Sequence, residues 1–440
     1  MTVTEMTTPT SPFAGVLEAA ASAPAPGVLH NLRDRGRKNF ASLGLPSRRQ
    51  EEWRFTLLKA LQEGVFEPPA RVAPRIDIAP WRVAGSQLLV FVDGVFDADS
   101  SDVTGLPDGV VVSNLVLASA VESKLVEDHL GSLAPLEHHP FAALNTALLA
   151  DGALIYLPED VVVTEPIQLL FANGAEGRST LSTPRILIIA GAGSRATVVE
   201  NHVGAGGASL SCPVSEIVLG ENAVLEHVAV QEEGADASHL AVRQIQLAAT
   251  SRYSGQSISL GGALARTDIN VVLDGEAAVA SLDGFYVTDG KQQADTHITV
   301  RHAQPNSNSF QLYKGILGGS SRAVFNGRII VDQDAQKTDA KQSNRNLVLS
   351  DNAIVNSNPQ LEIFADDVRC THGSTIGRLD EEAIFYLRTR GIGREEARSL
   401  LTLAFAGEIL DRIPVTQIRE RLESEIASRL SQIEKREEHQ

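Results

Sequence analysis

The sequence predicts a mainly β protein, with a parallel β-helix core set between helical N-terminal and C-terminal parts. Three observations predict it. Over residues 151–378 the chain consists of short apolar runs separated by Gly, Asn, Asp and Ser, and helix signals almost vanish. One unit recurs there: an alternating strand, a tight turn of small or polar residues, then a second strand. It is seen in "RILIIAGAGSRATVVENHV" from Arg185, "SEIVLGENAVLEHVAV" from Ser215, "RQIQLAATSRYSGQSISL" from Arg243, "DINVVLDGEAAVASLDGFYV" from Asp268 and "NLVLSDNAIVNSNPQLEIF" from Asn346. Residues 379–440 return to helical periodicity. A strand–turn–strand unit cannot bury its apolar face alone, whereas copies stacked in register make one continuous core. A β-sandwich, which also has many short strands and frequent turns, is the competing architecture.

The elements follow in order. The first 27 residues, rich in Thr, Ala, Ser and Pro, are expected to form a flexible arm, with a short apolar helix over 13–21. Residues 28–150 form a helical and mixed region. In it, 29–65 has a helical pattern, including "SRRQEEWRFTLLKAL", in which Trp53, Leu57, Leu58 and Leu61 share one face. "QLLVFVDGVF" predicts two strands around the turn dipeptide Asp93-Gly94, and helical patches follow over 116–130 and 140–149. After the solenoid, "RLDEEAIFYLRTRG" has Asp380 as N-cap and Gly391 as C-terminal stop. "GREEARSLLTLAFAGEILDRI" carries acids early and ends at Pro414. The final segment aligns Ile418, Leu422, Ile426, Leu430 and Ile433 in a narrow apolar stripe that offers a face to a partner.

Composition excludes several function classes. A chain of 440 residues suggests two or three domains, and 43% hydrophobic with 21% charged residues is globular. A net charge of -17 argues against a nucleic-acid partner, which requires clustered Lys and Arg. Two cysteines, Cys212 and Cys370, cannot form a disulfide framework, which fits a reducing compartment. The first residues have neither a basic start nor an apolar signal-peptide core, and no later run supplies 18 uncharged apolar residues. A cytosolic protein with no membrane contact is expected.

The chemistry-bearing word is "VRCTHG". In a strand, residues i and i+2 point to one side, so Cys370 and His372 would face the same way. A thiolate and an imidazole together suit iron or zinc, and also sulfur chemistry. Two ligands do not complete a tetrahedral site, and the chain has no CxxC, no HExxH and no second Cys nearby. Three readings stand: a buried Cys beside a hydrogen-bonded His, a nucleophilic Cys/His dyad, or half of a site completed by a second subunit. Other candidates have simpler explanations. "EHHP" at Glu137 to Pro140 fits a surface or a helix cap, and Cys212 fits core or turn. His202 and His227 occupy similar places in successive repeats and would stack on one face. "GAGSRA" and "GGSSRA" lack the GK[ST] ending of a P-loop, so ATP hydrolysis of that kind belongs elsewhere.

The block "GRIIVDQDAQKTDAKQSNRNLVLSDNAIVNSNPQLEIFADDVRCTHGSTIGRLDEEAIFYLRTRGIGREEARSLLTLAFAGEIL" resembles the SufB/SufD family of iron-sulfur cluster assembly proteins. "EEWRFTLL", the His-Gly after the cysteine word and the absence of an N-terminal cysteine cluster are similar to the SufD branch. The resemblance runs from about Leu29 to the C-terminus and is strongest at the end. It implies a right-handed parallel β-helix and a non-catalytic scaffold subunit in a SufB-SufC-SufD complex. SufB would pair through the β-helical ends, and the ATPase SufC would bind the C-terminal helices. The nascent cluster, or iron, would be shared with SufB, and Cys370 and His372 are the family residues that map onto this chain. Some members use reduced flavin, which no residue here assigns to this subunit, and a homodimer is an alternative state. The rival functions are a β-helical carbohydrate-active enzyme and a purely structural scaffold.

Overall fold

The computed structural model describes residues 12–23, 27–67, 76–174, 179–204 and 207–437. From Gly152 onward the chain winds between two long sheets, one 10-stranded and one 11-stranded. Strands inside each sheet pair in parallel with the strand one coil earlier and one coil later. Val224–Glu232, for example, lies between Arg195–Gly204 and Arg252–Ser259. A sandwich would pair neighbours antiparallel through hairpins, so this topology is a parallel β-solenoid.

The turns explain the loose repeat. Gly193, Asn222, Thr250, Ala277, Asn306 and Lys337 sit at the same corner of successive coils, all with φ between 57° and 69°. Only one of the six is glycine. The others tolerate the left-handed region because each N–H donates to a carbonyl of the next coil, as in Asn222 N to Ala249 O (3.0 Å) and Thr250 N to Glu276 O (2.8 Å). Stacking fixes a corner that the local sequence would not choose.

The interior is aliphatic along one side, with Ile186, Ile188, Val198, Ile217, Leu225, Ile245 and Ile269 in one cluster. N-terminal helices pack against the beginning of the solenoid. Within the expected N-terminal arm, Ala14–Ser22 is a docked helix, preceded by the fully buried Phe13 against Phe40 and Phe66 (ring centroids 6.0 and 5.7 Å). The remainder of that arm, 1–11 and 24–26, lies outside the described residues.

The run containing Trp53 departs from expectation. Instead of one helix it forms a 3-10 turn, Glu51–Trp53, an irregular link and a short helix, Lys59–Glu63. The solenoid captures the link: Thr56 Oγ1 donates to Asp295 Oδ2 (2.6 Å), Leu57 N donates to Gln293 Oε1 (3.0 Å), and Gln293 Nε2 donates to Phe55 O (2.8 Å). Trp53, Leu58 and Leu61 are buried, but Leu57 is left exposed.

At the other end, Asp380 Oδ1 accepts from Glu382 N (2.9 Å) to start the helix Glu381–Thr389, and Gly391 leaves it at φ 89°. Two more helices follow, Arg394–Leu410 and Thr416–Glu437. The stripe read as a partner surface is already occupied. Ile418, Leu422, Ile426, Leu430 and Ile433 are buried in one cluster with Val228, Val230, Ile258, Phe285 and Val287 of the solenoid. Ion pairs fasten this region: Arg421 to both oxygens of Glu232 (2.8 and 2.6 Å), Arg412 to Asp283 (2.7 Å) and Arg436 to Asp289 (2.6 Å). The apolar groups left facing solvent here are Phe385, Tyr386 and Leu400. Among the described residues no helix is long and apolar enough to cross a membrane.

Candidate functional site at the open end of the solenoid

The last coil consists of Ile354–Ile363 and Arg369–Gly377, each the terminal strand of its sheet. One long edge of each strand has no strand partner among the described residues, and such edges are templates for pairing with another chain. Ile354, Ile363, Phe364 and Ile376 are exposed around this end.

Register decides where Cys370 and His372 point. Cys370 pairs with Ala340, His372 with Gln342, Ser374 with Asn344 and Ile376 with Asn346. All four partners on the previous coil are buried in the solenoid. Residues in register share a face, so Cys370 and His372 project together toward the axis, as period two requires. A chain of hydrogen bonds holds that face: Ser374 Oγ donates to Ser357 Oγ (2.8 Å), Ser357 Oγ to Asn344 Oδ1 (2.9 Å), Asn346 Nδ2 to the same oxygen (2.7 Å), and Tyr286 Oη to Asn346 Oδ1 (2.5 Å).

Cys370 is half-buried against Ala340 and Leu361, and burial is the main cause that raises its thiol pKa. The backbone hydrogen bond with Ala340 opposes that rise. A metal must therefore displace a proton to bind the sulfur. His372 is solvent-exposed at the mouth. Among the described residues no cluster of three or more His, Cys, Asp or Glu is arranged to hold a metal, so no third ligand of these types joins the pair there.

The other candidates resolve into structure. His202 and His227 do not stack, because the register sets His202 opposite Gln231 and His227 opposite Val198. They converge instead on the buried Glu200 carboxylate, His202 Nε2 at 2.6 Å and His227 Nε2 at 3.1 Å, while His227 Nδ1 meets Tyr253 Oη at 2.9 Å. Burial would raise the Glu200 pKa, but the charge of Arg243 and the two imidazole hydrogen bonds hold it well below the usual carboxylate range. Burial lowers both histidines, which are therefore neutral donors to Glu200. Nearby, His239 Nδ1 lies 2.9 Å from Glu233 Oε2. Sequence reasoning missed Glu200, Glu233, His239 and Arg243; His239 and Arg243 share the strand Ser238–Leu247, while the two glutamates come from earlier strands or their ends.

His139 of "EHHP" caps the helix Pro140–Ala147: its Nδ1 accepts from Ala142 N (3.3 Å), and its Nε2 is 3.3 Å from Asp268 Oδ2. Asp268 in turn takes both ends of the Arg266 guanidinium (2.8 and 2.7 Å), which lies 3.7 Å over the Trp53 ring. Cys212 is fully buried, and desolvation pushes its thiol far up. The Gly-rich words are solenoid corners, with Gly193 and Gly319 at φ 69° and 57°.

Two family models match the chain: the SUF system FeS cluster assembly SufBD core domain over residues 171–405, and the SufBD protein N-terminal region over 17–169. An iron-sulfur cluster assembly SufBD family protein of Synechocystis sp. is 34% identical over 429 residues, covering 94% of this chain and 93% of its own. The iron-sulfur cluster assembly protein SufD of Escherichia coli is 31% identical over 391 residues, with 88% and 90% covered. Its namesake from Bacillus subtilis is 28% identical over 326 residues, with 72% and 73% covered. The axial Cys370–His372 pair sits within the matched core, and the chain belongs to the SufB/SufD family of iron-sulfur cluster assembly proteins.

Proposed function

We propose that this chain is a SufD-like scaffold subunit without catalysis of its own, acting in the cytosol and completing an iron-sulfur assembly site together with a SufB-type partner. The observation that carries this reading is the incomplete Cys370–His372 pair, facing the axis on a last coil whose outer strand edges are unpaired among the described residues. A partner solenoid docked end to end would satisfy those edges and bring further ligands to the pair. Iron, or the nascent cluster, is the cargo, and sulfur and nitrogen donors are suitable ligands for it.

ATP hydrolysis belongs to a SufC-type partner. Its docking surface is the exposed Phe385, Tyr386 and Leu400, because the last helix has spent its stripe on the solenoid. Movement on ATP binding would pass through the ion pairs of Arg412 with Asp283 and Arg421 with Glu232 to the sheet whose terminal strand carries the site. Reduced flavin would serve the complex rather than a pocket assigned in this subunit.

The test is anaerobic co-purification with SufB- and SufC-type partners, followed by iron and sulfide analysis. The complex should accumulate both, and His372→Ala should lose them while the three chains still co-purify. Unchanged iron and sulfide in that variant would refute the shared site. A stable homodimer that excludes the SufB-type chain would refute the heteromeric assembly.

A further inference from the structure

His372 does not stand alone on its row of the solenoid. In register beneath it lie Gln342 and then Gln311, one residue per coil, which makes an amide ladder whose third rung is the imidazole. Gln342 Nε2 donates down the ladder to Gln311 Oε1 at 2.8 Å. Its own Oε1 is buried and has no hydrogen-bond partner in the structure. The side chain cannot swing away freely: across the interior, a Cβ on Gly327 would come within 2.3 Å of Gln342 Nε2, so the amide fills the space that this glycine leaves open. With its nitrogen committed to the rung below, the carbonyl oxygen is left for the rung above, about 4.8 Å away along the stack. An unpaired buried acceptor costs about 1–3 kcal/mol, and the side chain standing on that rung, His372, carries an N–H.

We propose that Gln342 is a positioning residue for His372: its Oε1 accepts the imidazole N–H, fixes one tautomer and turns the other ring nitrogen, with its lone pair, toward the open end. Imidazoles that bind metal commonly donate their second N–H to a fixed acceptor in this way, which orients the ring and raises its basicity. The inference builds on the metal-facing role proposed above for Cys370 and His372. It adds a third residue, 30 positions upstream, that touches no cargo.

The test reads the tautomer directly, in the metal-free full-length chain, by NMR of nitrogen-15-labelled histidine, with the His372 signal assigned from its loss in His372→Ala. One tautomer should dominate in the parent chain and in Gln342→Glu, whose carboxylate can also accept. Gln342→Leu should relax to a mixture. Ser374→Ala removes a hydrogen bond of the same strand, to Ser357 Oγ, without touching the Gln311–Gln342 pair and should leave the His372 tautomer fixed, which separates positioning from general damage to the last coil. A His372 signal that is the same in the parent chain and in Gln342→Leu would overturn the proposal, as would loss of the fixed tautomer in Gln342→Glu.

Anaerobic titration of the co-purified complex with the SufB-type partner, using Co²⁺, supplies a second reading through the thiolate-to-cobalt absorption band that Cys370→Ser removes. Gln342→Leu should weaken binding by about 10- to 100-fold, the usual effect of losing such a partner. A fixed tautomer in a chain that shows no Cys370-dependent cobalt band would overturn the metal-facing role while leaving the Gln342 contact intact.

Discussion

Replacing Asp283 with asparagine should make the protein more stable at neutral pH, although it removes one side of an ion pair. Asp283 lies on the solenoid sheet that the C-terminal helices cover, with Arg412 Nη1 2.7 Å from its Oδ1. Its side chain is 7% exposed whereas that of Arg412 is 46% exposed, so the carboxylate is desolvated by a partner that remains in water. Burial dominates and pushes the pKa up to about 6, against the lowering effect of Arg412. An unfolded aspartate titrates near 3.9, so between about pH 4 and 6 the native state binds more protons than the unfolded state. Stability from this group therefore falls as pH rises through that window. At 1.36 kcal/mol per pKa unit the loss by pH 7.5 is about 3 kcal/mol. Asparagine cannot ionise and keeps an oxygen for Arg412. Urea denaturation followed by Trp53 and Trp81 fluorescence at pH 4.5 and pH 7.5 measures the difference between variant and parent. That difference should shift by about 2 kcal/mol in favour of Asp283→Asn between the two pH values, because part of the loss has already occurred at pH 4.5. Parallel pH profiles for the two proteins would refute the argument that desolvation outweighs the ion pair.

Three more outcomes are expected. His302 is buried between Ser307 Oγ and Ser309 Oγ (2.8 and 2.9 Å), and burial pushes its pKa down to about 4. The unfolded chain gains a proton near pH 6.5 that the native state refuses, so stability is lost as pH falls from 6.5 to 4; His302→Asn should flatten that limb by about 3 kcal/mol in the same denaturation series. Ile426→Ala, at the middle of the buried stripe, should cost about 2–5 kcal/mol by urea denaturation and expose the last helix to limited proteolysis. Phe364→Asp, at a side chain 63% exposed on the open end, should change stability by less than about 0.5 kcal/mol yet abolish co-purification with the SufB-type partner.

What the sequence made legible was whatever depends on near neighbours. The Asp380 cap, the Gly391 stop, the Asp93-Gly94 hairpin and the strand–turn–strand units are local signals, and all are present. The shared face of Cys370 and His372 followed from strand periodicity; its direction required the register with Ala340 and Gln342. Register also undid the expected stacking of His202 and His227, because similar words lie at different distances along their strands, His202 near the end of one and His227 near the start of the next. The stripe from Ile418 to Ile433 announced a buried helix face but not what would cover it. Leu57 was misread because Thr56 and Gln293, 237 positions apart, outcompete helix propensity for the backbone near residue 56. The Glu200 network was invisible for the same reason: apart from His202, its members reach Glu200 only from the following two coils.

The unpaired final coil imposes a discrete rule on whatever joins it. Backbone ladders align in whole residues, and moving a strand by one residue swaps every side chain between the inner and outer surface. A mating chain can therefore meet Cys370 and His372 only in alternate alignments; the intervening ones would set its donors outside the wall, away from the cysteine and histidine. Docking in the correct frame and assembling the ligand set would then be a single event, and a misaligned complex would reveal itself by failing to hold iron.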